Sequence, residues 1–443
     1  MSRLAVILGA SIAGLLAARA LAPHFERVLL LERDSLPGKP EHRSGTAQAQ
    51  HAHILLQRGL TGLEQMFPGY TKKLVDAGGV MTNATRDWYS LFPMGAFPKF
   101  ESDMEFLCAS RPLIEHILRT TLLDQYTNVG IRGDCNVTGI QLSTDASPQI
   151  TFLPDAEKNS ENMVADLVID ATGRNSRSPY WLQQQGFAKV RETLVKPYLG
   201  YATRLFKNVA MPAGVRATIV MAKDPDMTRG AVLFPIENDQ YICTLYGFSK
   251  DYPSTEEDEF LNFAKSLRSD VIYQGIVHAN PQTPAKAFVK NESVYRHYAE
   301  NEIWPQGFLV TGDAVCSFNP IYGQGMTAAV IASETLAKSI QQRNAASVAW
   351  AKQAQRKIVN AYRAAWTIST NEDLRWPATE GSKAGFALRA MHRFSDLIGV
   401  AATHDQCVAY TYIKVLHMTA TPAALLTPWM VARILKSGFG RAV

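Results

Sequence analysis

Residues 4–21 read Leu4-Ala-Val-Ile-Leu8-Gly9-Ala-Ser11-Ile12-Ala13-Gly14-Leu-Leu-Ala-Ala-Arg-Ala-Leu21, and this stretch decides the fold. Leu4 to Leu8 is a short apolar run suited to a buried parallel strand. The stretch from Ile12 to Leu21 is rich in Ala and Leu and predicts a helix. A second apolar strand, Val28 to Leu31, ends in Glu32. Together these make a βαβ start with the spacing G-x-G-x-x-G, in which Ser11 stands at the middle glycine position. Gly9 permits the tight turn, a small residue at 11 admits a pyrophosphate, and Gly14 lets helix and strand pack closely. The helix N-terminus then offers N–H groups and a positive dipole to the phosphates. Glu32 is placed to accept from ribose hydroxyls. The same residues could pass for a secretory leader, with Arg3 and an Ala20-Leu21-Ala22 ending, but cleavage would cut the glycine pattern apart.

Composition narrows the remaining choices. The chain has 443 residues, 45 Lys+Arg, 40 Asp+Glu and 47% hydrophobic residues, a balance that suits a folded chain of about three domains. A net charge of +5 with no basic tract gives no case for nucleic acid. Five scattered cysteines without a CxxC pair support neither a disulfide framework nor zinc, so a reducing, cytoplasmic setting is expected. Charge is uneven, however: residues 345–443 hold 12 Lys+Arg against 5 Asp+Glu.

Farther along, Ser110-Arg111-Pro112 opens a helix with Ser110 as its cap. Leu167 to Ile169 is a strand running into Asp170-Ala171-Thr172-Gly173. Between Tyr198 and Gly247 the segments become short, β-branched and aromatic, with a hairpin connection at Glu237–Gln240; this predicts an antiparallel sheet. A last strand, Phe308 to Thr311, meets Gly312-Asp313, followed by Pro320, Gly323, Gly325 and Met326 at the start of a helix. Asp313 therefore belongs at the carboxyl edge of a parallel sheet, where such sheets bind ligands. The expected fold is α/β: a Rossmann-like nucleotide-binding domain (1–75, 100–180 and 290–345) and an inserted antiparallel-sheet substrate domain (76–99 and 181–289). A helical C-terminal region (346–443), broken at Pro377, Pro422 and Pro428, completes it. His51 and His53 alternate as on one face of a strand, but no Cys or carboxylate completes a metal shell, and no metal is expected.

Taken in order and separation, the three sites resemble the FAD-dependent monooxygenases of the para-hydroxybenzoate hydroxylase fold across residues 1–345. Arg43–His53, Phe318–Met326, Glu372–Pro377 and Leu416–Pro422 extend the likeness to bacterial polyene epoxidases. The resemblance implies that Gly9, Ser11, Ile12, Ala13 and Gly14 hold the FAD pyrophosphate, with Glu32 and Arg33 at the adenosine. It puts Arg43 and Arg111 at the phosphates and ribityl chain, Val137 in the adenine pocket and Thr172-Gly173 at the middle contact. Asp313 would bond a ribityl hydroxyl. Gly325 and Met326, after the loop shaped by Pro320 and Gly323, would present N–H groups to the pyrimidine edge. The implied activity moves one oxygen atom from O2 to a lipophilic substrate through a flavin C4a-hydroperoxide, with no obligatory catalytic side chain.

One departure concerns the reductant. Aromatic hydroxylases of this fold carry an Asp-Gly pair where this chain has Thr172-Gly173, so NADPH or NADH contact there loses its carboxylate, and a separate flavin reductase becomes an alternative electron source. The rival activities are reduction of isoprenoid double bonds, halogenation and non-catalytic FAD binding. An aromatic and Met-rich segment (Trp88, Tyr89, Phe92, Met94, Phe97, Phe100, Met104, Phe106) is the expected pocket lining. Val415 to Ala432 carries no charge but includes two prolines, which predicts covering helices, with peripheral membrane contact through Arg433, Lys436 and Arg441 as a lesser alternative.

Overall fold

A computed structural model describes residues 3–154, 159–290, 292–341, 347–381 and 385–439. In it Leu4–Leu8 is the central strand of a five-stranded parallel sheet. The strand order is Phe308–Val310, Leu167–Asp170, Leu4–Leu8, Arg27–Leu31 and Val129–Arg132. Leu8 pairs with Asp170 on one side and Leu31 on the other, so these strands end level and form one rim.

The helix Ile12–Leu21 follows at once and is buried almost throughout, as its Ala/Leu content requires. A Cβ on Gly14 would lie 2.0 Å from the carbonyl oxygen of Gly9, so only glycine lets the helix start so close to the strand. The hydroxyl of Ser333, on the helix Gly325–Ile340, donates to the Leu16 carbonyl at 2.6 Å and joins the two helices. The edge strand Phe308–Val310 is completed by a side chain. Gln355, on the helix Val348–Ala361, accepts from Val310 N–H at 2.7 Å and donates to the Val310 carbonyl at 3.1 Å. That helix, although C-terminal, packs into the same core through Trp350, Ala354 and Ile358.

The second large sheet has eight strands, built around Leu199–Lys207, Gln240–Gly247, Arg229–Ile236 and Ala217–Val220. Asn238 and Asp239 both take positive φ, the left-handed pair inside the three-residue loop 237–239 that joins the paired residues Ile236 and Gln240. One pairing departs from the antiparallel expectation. Trp88–Phe92 lies parallel to Ala217–Val220, because the chain between them crosses through the nucleotide-binding sheet before returning.

The helices Phe386–Ala402, Gln406–Leu416 and Pro428–Phe439 close over this sheet. Ile398, Val408, Ile413 and Ile434 share an apolar cluster with Trp88, Phe92 and Phe234. Pro422 and Pro428 open elements rather than breaking them: each starts a helical turn, where a missing N–H costs nothing. The uncharged run from Val415 to Ala432 is thereby divided, and no helix among the described residues is long and apolar enough to cross a membrane. Arg441 lies outside the described residues.

Candidate cofactor site and adjoining cavity

Three loops meet at the rim of the parallel sheet. Gly9 has φ +95°, and a Cβ there would sit 2.8 Å from the Ala171 carbonyl oxygen and 3.4 Å from the Cα of Thr172. Gly312 has φ +66°, and its Cβ would stand 2.7 Å from that of Ala13. Gly9–Gly14, Ala171–Gly173 and Gly312–Asp313 are thus in mutual contact, with Ile12 buried behind them. Ser11 precedes the helix in extended conformation but does not cap it. Its hydroxyl donates to Glu115 Oε2 at 2.9 Å and accepts from Arg111 Nη2 at 2.9 Å, which leaves the first helical N–H groups open to an anion.

Behind the loops lies a buried ionic cluster. Glu32 Oε2 accepts from Ala10 N–H at 2.7 Å and pairs with Arg43 Nη1 at 3.0 Å. Arg43 also reaches Glu115 at 2.7 Å and Asp34 at 3.2 Å. Burial works against the Arg43 charge, but Glu115 and Glu32 outweigh it and raise its pKa. Arg111 is buried beside Glu115, and its Nε has no hydrogen-bond partner. Arg33 stands apart: its side chain is 60% exposed, and among the described residues its polar contacts are the Gly45 carbonyl, at 3.4 Å, and Asp34, at 3.9 Å. Val137 is half-buried on the strand Cys135–Gln141, which leaves the rim through a Cys135 N–H bond to the Glu32 carbonyl (2.9 Å). Glu115 is the residue that sequence reasoning missed. Its signal was present, four residues after Arg111 on a helix that Ser110 does cap, at 3.2 Å from Leu113 N–H.

Asp170 is the second missed residue. Fully buried, it accepts from Thr172 N–H (2.8 Å), the Thr172 hydroxyl (2.6 Å) and the Ser176 hydroxyl (2.5 Å), and from Ser178. Thr172 is exposed and Gly173 has φ +83°, so the loop shape is held from below and its outer surface stays free. Asp313 is also exposed, and its carboxylate has no hydrogen bond or ion pair among the described residues. In the next loop Asn319 caps the short turn Pro320–Tyr322 by accepting from Ile321 N–H at 3.1 Å, and Gly323 takes φ +69°. Gly325 is exposed as the first residue of its helix, and Met326 is buried. Just before them Gln324 is fully buried, and neither atom of its amide has a partner.

Three spaces follow one another along this surface. A cleft lined by Arg43, Thr46, Ala49 and Arg111 adjoins the ionic cluster. A second lies between Gln48–Ile54 and Pro320–Gly323, against Tyr201, Thr244 and Phe288. It shares Ile54, Val232, Ile321 and Gly323 as a common wall with a cavity of about 410 Å³. Of the eight aromatic and Met residues expected to line a pocket, Trp88, Phe92 and Phe106 do so. Phe97 stacks behind Phe92 at 4.2 Å, and Met104 is core.

His51 and His53 are not on a strand; they follow the turn Ser44–Gln50 and precede the strand Ile54–Leu55. His51 Nδ1 is 2.8 Å from the Thr203 hydroxyl, and Thr244 accepts from Ala52 N–H at 3.1 Å, which pins this segment to the large sheet. Burial, with a smaller push from His42, lowers the His51 pKa to about 4. Burial and Arg111 lower that of His53 to about 3. Both rings are neutral near pH 7. Among the described residues no group of three or more His, Cys, Asp or Glu could hold a metal ion.

These features fit FAD. The glycine turn and open helix N-terminus suit the pyrophosphate, the unpartnered Arg111 Nε and exposed Asp313 suit polar groups along the linker, and the Gln48–Ile54 cleft with unpartnered Gln324 suits a planar polar ring. The comparisons agree. The chain is 32% identical over 359 residues to Protein Rv3254 of Mycobacterium tuberculosis, covering 77% of this chain and 74% of that protein. Its fold is similar to a flavoprotein/dehydrogenase from Cytophaga hutchinsonii (TM-score 0.68, 16% identity, 97% and 96% of the two chains). It is likewise similar to p-nitrophenol 4-monooxygenase PnpA from Pseudomonas putida DLL-E4 (TM-score 0.65, 16% identity, 93% and 97% of the chains). The FAD binding domain family matches residues 3–346, and the chain belongs to that family of flavoproteins.

Proposed function

We propose that the protein is a monooxygenase that places one oxygen atom from O2 on a lipophilic substrate, by epoxidation or hydroxylation. The observation that carries this reading is the 410 Å³ cavity, apolar over most of its wall, which opens on the Ile321–Gly323 loop at the end of the cofactor cleft. Bound FAD supplies the O2 chemistry; the chain supplies position and dryness. Gly9–Gly14 and Arg111 hold the pyrophosphate side, Asp313 accepts from a linker hydroxyl, and the N–H groups of Gly325 and Met326 meet the ring edge. Glu32, already bound to Ala10 N–H, stands at the adenosine end with Val137 beyond it; exposed Arg33 approaches only from outside.

The name of the fold relative PnpA supports a monooxygenase, and the larger apolar cavity favours an alkene or polyketide-like chain over a small phenol, in keeping with the epoxidase likeness. Electrons come from NADPH or NADH, directly or through a separate flavin reductase, since Thr172 stands where aromatic hydroxylases of this fold carry a carboxylate. The cavity also reaches the molecular surface at Leu426 and Met391, which are 59% and 45% exposed beside Phe386 and Trp429. With Lys436 on the last helix, and Arg433 over the Trp429 ring though ion-paired to Asp405, this rim suits passing contact with an anionic lipid surface.

The test is to reduce the FAD-loaded protein anaerobically and then admit isotopically labelled O2 with a long-chain alkene. One labelled oxygen in the organic product is expected. A saturated product without label would instead show a double-bond reductase, and an unchanged alkene across a panel of chain lengths would leave FAD binding alone.

A further inference from the structure

One charged cluster interrupts the apolar wall of the large cavity, and neither cofactor binding nor packing accounts for it. It lies in the segment Glu372-Asp373-Leu374-Arg375-Trp376-Pro377. This segment is pinned from two sides. Asp373, fully buried, accepts from Asn319 Nδ2 at 2.6 Å and so grips the loop that ends the cofactor cleft. Trp376 stacks on Phe248 of the large sheet, with ring centroids 4.5 Å apart and planes at 15°. Glu372 and Arg375 are left facing the cavity.

The cluster is unbalanced. Arg375 Nε lies 2.7 Å from Glu372 Oε2, its Nη1 is 2.9 Å from Asp396, and its Nη2 donates to the His392 carbonyl at 3.2 Å. Asp224 stands on the cavity wall as well, whereas Asp396 lies behind Arg375 and does not line the cavity. Burial, with Arg375 also acting, leaves His392 below its ordinary pKa and neutral near pH 7. The guanidinium charge is thus offset by Glu372 and Asp396, although its buried Nε makes no aligned hydrogen bond, and Glu372 Oε1 has no hydrogen-bond partner among the described residues. The Glu372 side chain is 36% accessible, and that access is to the cavity. Burial outweighs Arg375 and raises its pKa. Its charge also acts on Tyr322 of the cofactor-cleft loop and on Tyr412 of the covering helices, so it sits where the two meet.

We infer that Glu372, held by Arg375, is the polar anchor that orients substrate in this cavity: it recognises a hydrogen-bond donor, a hydroxyl or amine, on an otherwise apolar molecule, and discriminates against a carboxylate. A ligand carboxylate would meet Glu372 and Asp224 on the wall, with the Arg375 charge already faced by Glu372 and Asp396, whereas a donor would satisfy Oε1. The inference rests on the monooxygenase reading only in taking the cavity as the substrate site. It is a specificity device and takes no part in the oxygen chemistry.

The test uses the FAD-loaded protein and the fluorescence of Trp88 and Trp376, which line the cavity, so it needs no turnover. The probes are decan-1-ol, its methyl ether and decanoate at pH 8. Decan-1-ol is expected to bind about tenfold or more tighter than either of the others, the difference one hydrogen bond to a charged acceptor makes. Glu372→Gln should bring the alcohol-to-decanoate ratio to within about threefold. Equal or tighter binding of decanoate to the unaltered protein, or an unchanged ratio in Glu372→Gln, overturns the anchor. The methyl ether keeps the test open should the variant fail to fold: ether binding as tight as alcohol also overturns it. Failure of the labelled-oxygen experiment with this preference intact would remove the oxygen chemistry and leave the anchor.

Discussion

The rim of the parallel sheet and the cavity beneath the C-terminal helices handle polarity in opposite ways. At the rim, backbone geometry and a dense ionic cluster fix the frame, with Arg43 alone reaching Glu32, Asp34 and Glu115, and the groups left open, such as Arg111 Nε and Asp313, face the place of the cofactor. In the cavity, aromatic and aliphatic side chains from distant parts of the chain make most of the wall, and two acids, Glu372 and Asp224, keep oxygens without a hydrogen-bond partner among the described residues. The first arrangement suits a fixed cofactor read by backbone. The second suits a ligand chosen by shape, where side chains can vary without disturbing the sheet.

The sharpest way to break this contrast is at Gly14. With no room for a Cβ against the Gly9 carbonyl, Gly14→Val should abolish FAD binding, a loss of at least about a hundredfold, which flavin fluorescence titration would register. FAD affinity within a few-fold of the original would show that the turn does not shape the site. Next is Arg43→Ala, which strands Glu32 and Glu115 as buried charges and should cost about 3–5 kcal/mol in urea unfolding, because a broken buried pair leaves its partner uncompensated. A cost under about 1 kcal/mol would mean the cluster is hydrated like a surface pair.

The seam between the two regions carries a pH signature. His51, buried against Thr203, has a folded pKa of about 4 against 6.5 for the free side chain, mainly because burial disfavours its charge. The unfolded chain therefore binds this proton more readily, so stability is full above pH 6.5 and declines as the pH falls toward 4. At pH 5 the loss from this group is about 2 kcal/mol. His51→Gln should lose correspondingly less stability than the unaltered protein between pH 7.5 and pH 5 in paired urea titrations; equal losses would remove His51 as the cause. The smallest effect is expected at the outer rim of the cavity. Trp429, 58% exposed, should shift its emission to shorter wavelength with anionic but not neutral phospholipid vesicles, and Trp429→Ala should lose that shift. Identical spectra with both vesicle types would end the lipid-surface proposal.

Legibility in the sequence differed between the regions for the same physical reason. The rim is built from neighbours in sequence: Gly9 to Gly14, Ser110 to Arg111, and Gly312-Asp313 each declare their geometry within a few residues. Even Glu115, overlooked, stood one helical turn from Arg111. Asp170 was overlooked differently, since the motif drew attention to Thr172 while the buried acid two residues earlier does the holding. The cavity is assembled from distant segments, as when Asn319 meets Asp373 and Trp376 meets Phe248, and no local pattern encodes such pairings. The aromatic cluster at 88–106 shows the limit well: its composition announced a pocket, but only the packing separates Trp88, Phe92 and Phe106 on the wall from Phe97 and Met104 behind it. The parallel pairing of Trp88–Phe92 was hidden for the same reason, because its partner lies far along the chain.

The central claim is that the cofactor cleft and the substrate cavity adjoin at Ile321–Gly323. The most direct measurement is the visible absorption spectrum of the FAD-loaded protein during titration with decan-1-ol, read beside tryptophan fluorescence in the same cuvette. The flavin bands should shift and saturate at the same alcohol concentration as the tryptophan signal. A tryptophan signal that saturates while the flavin spectrum stays unchanged would place the cavity away from the cofactor and contradict the account.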